Sequence, residues 1–183
     1  MNLYLIALLP PQTIREEVKS LKMEMRDRFD ASHALKSPAH LTLFMPIKRR
    51  GEEEGEINRC LNDIANNQSA FQVELNGFDC FPPRVLFIKV VDHQPIIRLR
   101  NAMISHLIEK LNFSPREIGL RFHPHLTIAT RDLTEEAFHR AWPEFKKRTY
   151  TSEFKVDKIS LLKHNGKNWE VFTESLFKPP QFI

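Results

Sequence analysis

Glycine and cysteine are scarce in this chain, with 5 Gly and 2 Cys in 183 residues. So few glycines leave no Gly-rich phosphate loop, no Walker sequence and no dinucleotide fingerprint, which argues against ATP-driven adenylation chemistry. Cys60 and Cys80 form no C-x-x-C pair and no disulfide framework, so a reducing, cytoplasmic setting is expected. Long hydrophobic runs are missing too. The apolar stretch Leu3 to Leu9 is too short to span a bilayer, follows no basic segment and ends at Pro10-Pro11. It reads as a buried strand, and no membrane partner is expected.

What remains is an ordinary globular composition, 42% hydrophobic and 27% charged, which excludes a disordered chain. The formal charge of +4 tilts weakly towards anionic partners and decides nothing alone. The length suits one domain over residues 1–183, or two small lobes sharing an interface, and a monomer is expected.

Periodicity gives an alternating order. Leu3–Leu9 is a strand, and Gln12 to about Arg28 is a helix with Ile14, Val18, Leu21 and Met25 at helical spacing. A short strand at Leu41–Met45 and a helix at Glu52–Asn66 follow. Phe71–Phe81 and Val85–Val91 read as strands joined at Pro82-Pro83. A helix near Pro95–Leu111, a strand at His125–Ala129 and a helix at Thr134–Lys146 come next. Strands near Phe154–Lys163 and Trp169–Phe177 meet at an Asn165-Gly166 turn. The order strand, helix, H-L-T strand, helix, strand therefore runs twice, from Leu3 to Phe81 and from Val85 to Lys163. The offsets agree: 125 − 40 = 85 for the histidines and 154 − 71 = 83 for Phe-Gln-Val-Glu against Phe-Lys-Val-Asp. The expected architecture is α+β and bilobal, with two mostly antiparallel sheets related by a pseudo-twofold axis. Outer helices would enclose a central cleft.

The repeated text contains His40-Leu41-Thr42-Leu43 and His125-Leu126-Thr127-Ile128. Composition predicts about 0.04 copies of H-L-T per chain, so two copies demand a reason. Side chains alternate along a strand, so His and Thr two apart share one face while the intervening leucines enter the core. Two such strands meeting across a groove would present two imidazoles and two hydroxyls. That set suits phosphodiester chemistry without a metal or cofactor. In-line displacement needs a base on the entering oxygen and an acid on the leaving one, and histidine titrates in the right range for both. Hydroxyl donors can meet charge on the non-bridging oxygens.

The paired H-h-T-h motifs, half a chain apart, resemble those of the two-histidine phosphoesterase superfamily, and within it the 2′-5′ RNA ligase (LigT-like) family. Leu3-Tyr4-Leu5-Ile6-Ala7-Leu8-Leu9-Pro10 is similar to the family's first strand. Phe122-His123-Pro124-His125-Leu126-Thr127-Ile128-Ala129 is similar to its second motif. The resemblance implies hydrolysis of RNA or nucleotide 2′,3′-cyclic phosphates, and in some members reversible 2′-5′ joining of RNA ends. It assigns the proton donor to His40 and the acceptor to His125; the symmetric pair does not separate these roles by itself. Thr42 and Thr127 would bind phosphate. The family often places arginine directly after the second motif's small residue. Here Thr130 intervenes, so Arg131 is a candidate phosphate ligand with a solvated loop residue as the alternative. Rival functions are a non-catalytic RNA- or nucleotide-binding module, and a phosphodiesterase for another small cyclic phosphate or a 2′-5′ oligonucleotide. Two intact motifs favour catalysis.

Weaker features complete the reading. His123 shares a face with His125, but no acidic cluster completes a metal site, and the matching position in the first copy is Pro38. His123 reads as a groove-wall residue. Lys48-Arg49-Arg50, before Glu52-Glu53-Glu54, reads as a solvated loop and helix start, with a basic RNA-facing rim as the alternative. Phe44, Phe81, Phe87 and Phe122 are stacking candidates among 14 phenylalanines, most of which must build the core. Arg84 is either a substrate contact or an exposed hairpin charge.

Overall fold

The structure, a computed structural model, describes residues 1–119 and 121–178. Its elements in chain order begin with β1 (Asn2–Leu8), α1 (Gln12–Phe29), a 3-10 turn (His33–Lys36) and β2 (Leu41–Arg49). A second 3-10 turn (Gly51–Glu53), α2 (Glu54–Ala65), β3 (Phe71–Phe81) and β4 (Val85–Val90) follow. Then come α3 (Gln94–Leu111), α4 (Pro115–Ile118), β5 (His125–Ala129) and α5 (Glu135–Phe145). The last three are β6 (Thr151–Val156), β7 (Lys158–His164) and β8 (Trp169–Leu176).

Helices and antiparallel strands make an α+β fold, as expected. The strands lie in the order β6-β3-β4-β5-β2-β1-β7-β8. Where two sheets were expected, there are two four-stranded halves of one sheet, joined between β2 and β5 by the single pair Leu41 and Leu126.

The halves of the sheet are not the halves of the chain. β3 pairs with β4 and β6, while β7 pairs with β1 and β8. If β1 and β2 are the counterparts of β4 and β5, the strand order makes β3 the counterpart of β7. Each half therefore takes its third strand from the other copy. The stretch Phe154–Lys163, expected to be one strand, is interrupted at Asp157 and serves both halves. Burial explains the split. β6 buries Phe154 and Val156 in alternation, as suits an edge strand with one covered face. β7 is buried continuously from Ile159 to Leu162, so it must lie between two strands with both faces covered.

The duplication shows in the long helices. α1 and α3 each have 18 residues, and each ends on a left-handed residue, Asp30 (φ 55°) and Asn112 (φ 52°). Asp and Asn tolerate that conformation better than other side chains do. α1 packs on β5, and Arg100 of α3 donates to the Leu43 carbonyl of β2 at 3.1 Å. Each long helix thus leans on the inner strand of the opposite half. Arg100 also donates to the carbonyls of Ile118 and Gly119, fixing the chain that leads to the second motif.

Leu41, Leu43, Leu126 and Ile128 are each at most 1% exposed and join the main core with Tyr4, Ile6 and Leu8. Burying a side chain of this size contributes about 1.5–3 kcal/mol, which holds the register of both motif strands. The other face of β1 carries Leu5 and Ala7, which with Leu9 just past the strand and Leu162 form a small second cluster, with Trp169 packed against it.

Candidate active site

On the face opposite those leucines, one cavity of about 380 Å³ is lined by His40, Thr42, His125, Thr127 and Arg131. All five residues singled out in the sequence therefore share one space. The geometry follows from the register. With Leu41 opposite Leu126 in an antiparallel pair, continuing that register by one residue would set His40 against Thr127 and Thr42 against His125. The two histidines would then lie on a diagonal, each beside the other copy's threonine.

Each imidazole is held the same way. His40 Nδ1 lies 2.8 Å from the Pro38 carbonyl, and His125 Nδ1 lies 2.6 Å from the His123 carbonyl. A carbonyl only accepts, so each Nδ1 carries a hydrogen and Nε2 is left for chemistry. Both rings are half-buried. Burial pushes His40 down to about 4; the Pro38 hydrogen bond opposes this, and the charges of Lys22 and His125 add to it. Burial likewise lowers His125, with the charges of His123 and His93 adding to the effect. Both histidines are therefore mainly neutral at pH 7.

Arg131 projects from a tight turn in which the Asp132 N–H donates to the Thr130 carbonyl at 2.7 Å, and its own φ is 57°. The neighbouring Asp132 clamps the opposite wall. One of its carboxylate oxygens accepts from Ser32 N–H (2.9 Å), Ser32 Oγ (3.1 Å) and His33 N–H (2.8 Å). That clamp fixes the 3-10 turn from which His33, Lys36 and, just beyond it, Ser37 line the cavity. Lys22, Phe81 and Trp169 also line it. A neighbouring cavity of about 450 Å³ shares Lys22, Lys36, Ser37 and Trp169 and adds Arg15 and Lys19.

Sequence reasoning missed Lys22, His33, Lys36 and Trp169. Lys22 alone left a signal: it falls four residues after Val18 and three before Met25, inside the apolar stripe of α1. Several candidates take other roles. Arg49 lies within β2, pairs with Glu117 at 2.7 Å and covers the Phe113 ring, so it is no part of a free basic rim. Arg50 belongs to the Arg50–Glu53 helix-start box. Phe44 and Phe87 are core residues at 1% exposure, and Phe122 packs under Arg100. Phe81, 41% exposed, is the one of the four that lines the cavity. His123 packs edge-on against Phe81 and His93, while its carbonyl holds His125. Arg84 is exposed and outside the cavity lining.

Similarity to known proteins runs the length of the chain. A protein of Halalkalibacterium halodurans, named provisionally as a phosphoesterase, is 29% identical over 175 residues, covering 92% of this chain and 94% of its own. The crystal structure of TT0787 from Thermus thermophilus superposes with a TM-score of 0.65 at 19% identity, covering 99% and 100% of the two chains. Escherichia coli LigT, crystallised with 3′-AMP, gives 0.65 at 17% identity over 97% and 98%. These last two likenesses establish the fold. The family model of the 2′-5′ RNA ligase superfamily matches residues 10–168, a span holding both histidine motifs, and the chain belongs to that superfamily.

Proposed function

We propose that this protein is a metal-independent phosphodiesterase acting on RNA or nucleotide 2′,3′-cyclic phosphates, with His40 and His125 as its acid and base. One observation carries the reading. Two imidazoles, each locked through Nδ1 to a carbonyl two residues upstream, line one cavity together with two threonines.

In hydrolysis, His125 Nε2 takes a proton from water as its oxygen bonds to phosphorus. One ring P–O bond breaks on the far side, and His40 gives its Nε2 proton to the departing ribose oxygen. His40 must be protonated for that step, and an arriving phosphate anion raises its pKa from the low value that burial sets. Thr42 and Thr127 donate to the non-bridging oxygens, with Arg131 as a further cation. With a ribose hydroxyl in place of water, the same displacement would break one ring P–O bond and join two RNA ends through the phosphate. An RNA terminus is favoured over a free mononucleotide by the adjoining cavity, where Arg15, Lys19 and Lys36 would meet a flanking phosphate. The crystal structure of LigT with 3′-AMP supports the same ligand class.

The test is turnover of nucleoside 2′,3′-cyclic phosphates and of RNA ending in one, with and without EDTA. Hydrolysis that survives chelation is expected. Binding without turnover would leave the non-catalytic module, and loss of activity on chelation would overturn the metal-independent mechanism.

A further inference from the structure

The inward stripe of α1 is Ile14, Val18, Lys22, Met25 and Phe29, so a lysine stands where packing calls for an apolar residue. Lys22 is 3% exposed. Its ammonium donates to the Ser37 carbonyl at 2.9 Å, which uses one of three donors. Among the described residues no carboxylate pairs with it, and burial alone holds its pKa down to about 8, so it is largely charged at pH 7. A single bond to a carbonyl does not need a charge, and burying an unpaired one is costly. That cost is offset only when an anion arrives. The side chain lines the cavity that holds both histidines and both threonines, and its charge reaches His40.

We propose that Lys22 is the cation that seats the substrate phosphate, its ammonium meeting a non-bridging oxygen of the phosphoryl group held between His40 and His125. This rests on the phosphoesterase reading of the cleft and adds a residue outside both motifs. The site then holds a fixed cation that needs no proton from either histidine. Both imidazoles stay free for proton transfer, and the two threonines complete the oxygen contacts.

Inorganic phosphate is the probe, titrated by calorimetry against wild type, Lys22→Met, Lys22→Gln and Lys22→Arg, with the same proteins assayed on a nucleoside 2′,3′-cyclic phosphate. Lys22→Met should weaken phosphate binding by about 10- to 100-fold, the scale of one hydrogen bond to a charged group, with a matching fall in kcat/KM. Its melting temperature should stay level or rise, because methionine completes an apolar stripe. Lys22→Gln keeps a donor for Ser37 without the charge and should fail in the same way, while Lys22→Arg should recover part of the binding. A structural peg behaves oppositely: Lys22→Met would melt lower and bind phosphate like wild type, and that result overturns the proposal. So does a wild type that does not bind phosphate. Phosphate binding that depends on Lys22 in a protein that hydrolyses no cyclic phosphate would keep this assignment and reject the hydrolytic one.

Discussion

The Pro38 carbonyl accepts the Nδ1 hydrogen of His40 across 2.8 Å, and the His123 carbonyl does the same for His125 across 2.6 Å. Backbone, not side chain, sets both tautomers, so they survive substitutions nearby. His40→Ala and His125→Ala should each lower kcat by about 10²–10⁴-fold. The double variant should be far less than multiplicatively worse, because losing either end already stops concerted proton transfer. Wild-type turnover in both single variants would make the motifs structural.

Acidity should show in the pH profile. The kcat/KM profile reports the free enzyme, which needs one histidine neutral and one protonated. The population with that arrangement peaks at the mean of the two pKa values. Burial holds His40 at about 4 and lowers His125 from 6.5, so the maximum should fall below pH 6.5. Stability follows the same sign. A histidine lowered in the fold contributes fully above the unfolded value near 6.5, and that contribution is lost as pH falls towards 4. A kcat/KM maximum at pH 7 or above would contradict the neutral pair.

The threonines differ from the histidines in what they supply. Thr42→Val and Thr127→Val keep shape and strand propensity while deleting a hydroxyl donor. Each should cost about 1–3 kcal/mol of transition-state stabilisation, read as a fall in kcat/KM with an unchanged pH profile. A moved pH limb would mean that the hydroxyl acts through its cross-strand histidine.

Much of this site was legible because a strand's period of two leaves little choice. Once Leu41, Leu43, Leu126 and Ile128 are assigned inward, His40, Thr42, His125 and Thr127 must face the other way. Alternation fixes faces, however, and not neighbours. It could not show that β7 crosses to β1 or that the chain breaks at Asp157, since those outcomes depend on which strands cover which. The clamp between Asp132 and Ser32 joins positions 100 residues apart and has no local pattern. Lys22 was visible in principle, as a charge inside an apolar stripe.

Asp132 supports the wall without entering it. Asp132→Ala removes three hydrogen bonds to the start of the His33–Lys36 turn. It should lower unfolding stability by about 1–2 kcal/mol, measured in urea. It should also raise KM more than it lowers kcat, because His33, Lys36 and Ser37 line the cavity while the histidines are held elsewhere. A fall in kcat with KM unchanged would place Asp132 in the transition state instead.

Arg131 separates backbone strain from chemistry. A side chain at φ 57° costs about 1 kcal/mol relative to glycine. Arg131→Gly relieves that strain, whereas Arg131→Ala keeps it, so the glycine variant should be the more stable of the two by about 1 kcal/mol in denaturant unfolding. Both remove the guanidinium. If it meets the phosphate, both should lose about 10- to 100-fold in kcat/KM, and Arg131→Lys should regain part of the loss with the charge but not the forked geometry. A solvated loop residue would show the stability difference and no kinetic one. Position makes the first outcome the expected one. Thr130 displaces the arginine by one residue from the family's usual place, and positions 125, 127, 129 and 131 share one parity, so Arg131 falls on the side of His125 and Thr127 and lines the cavity with them.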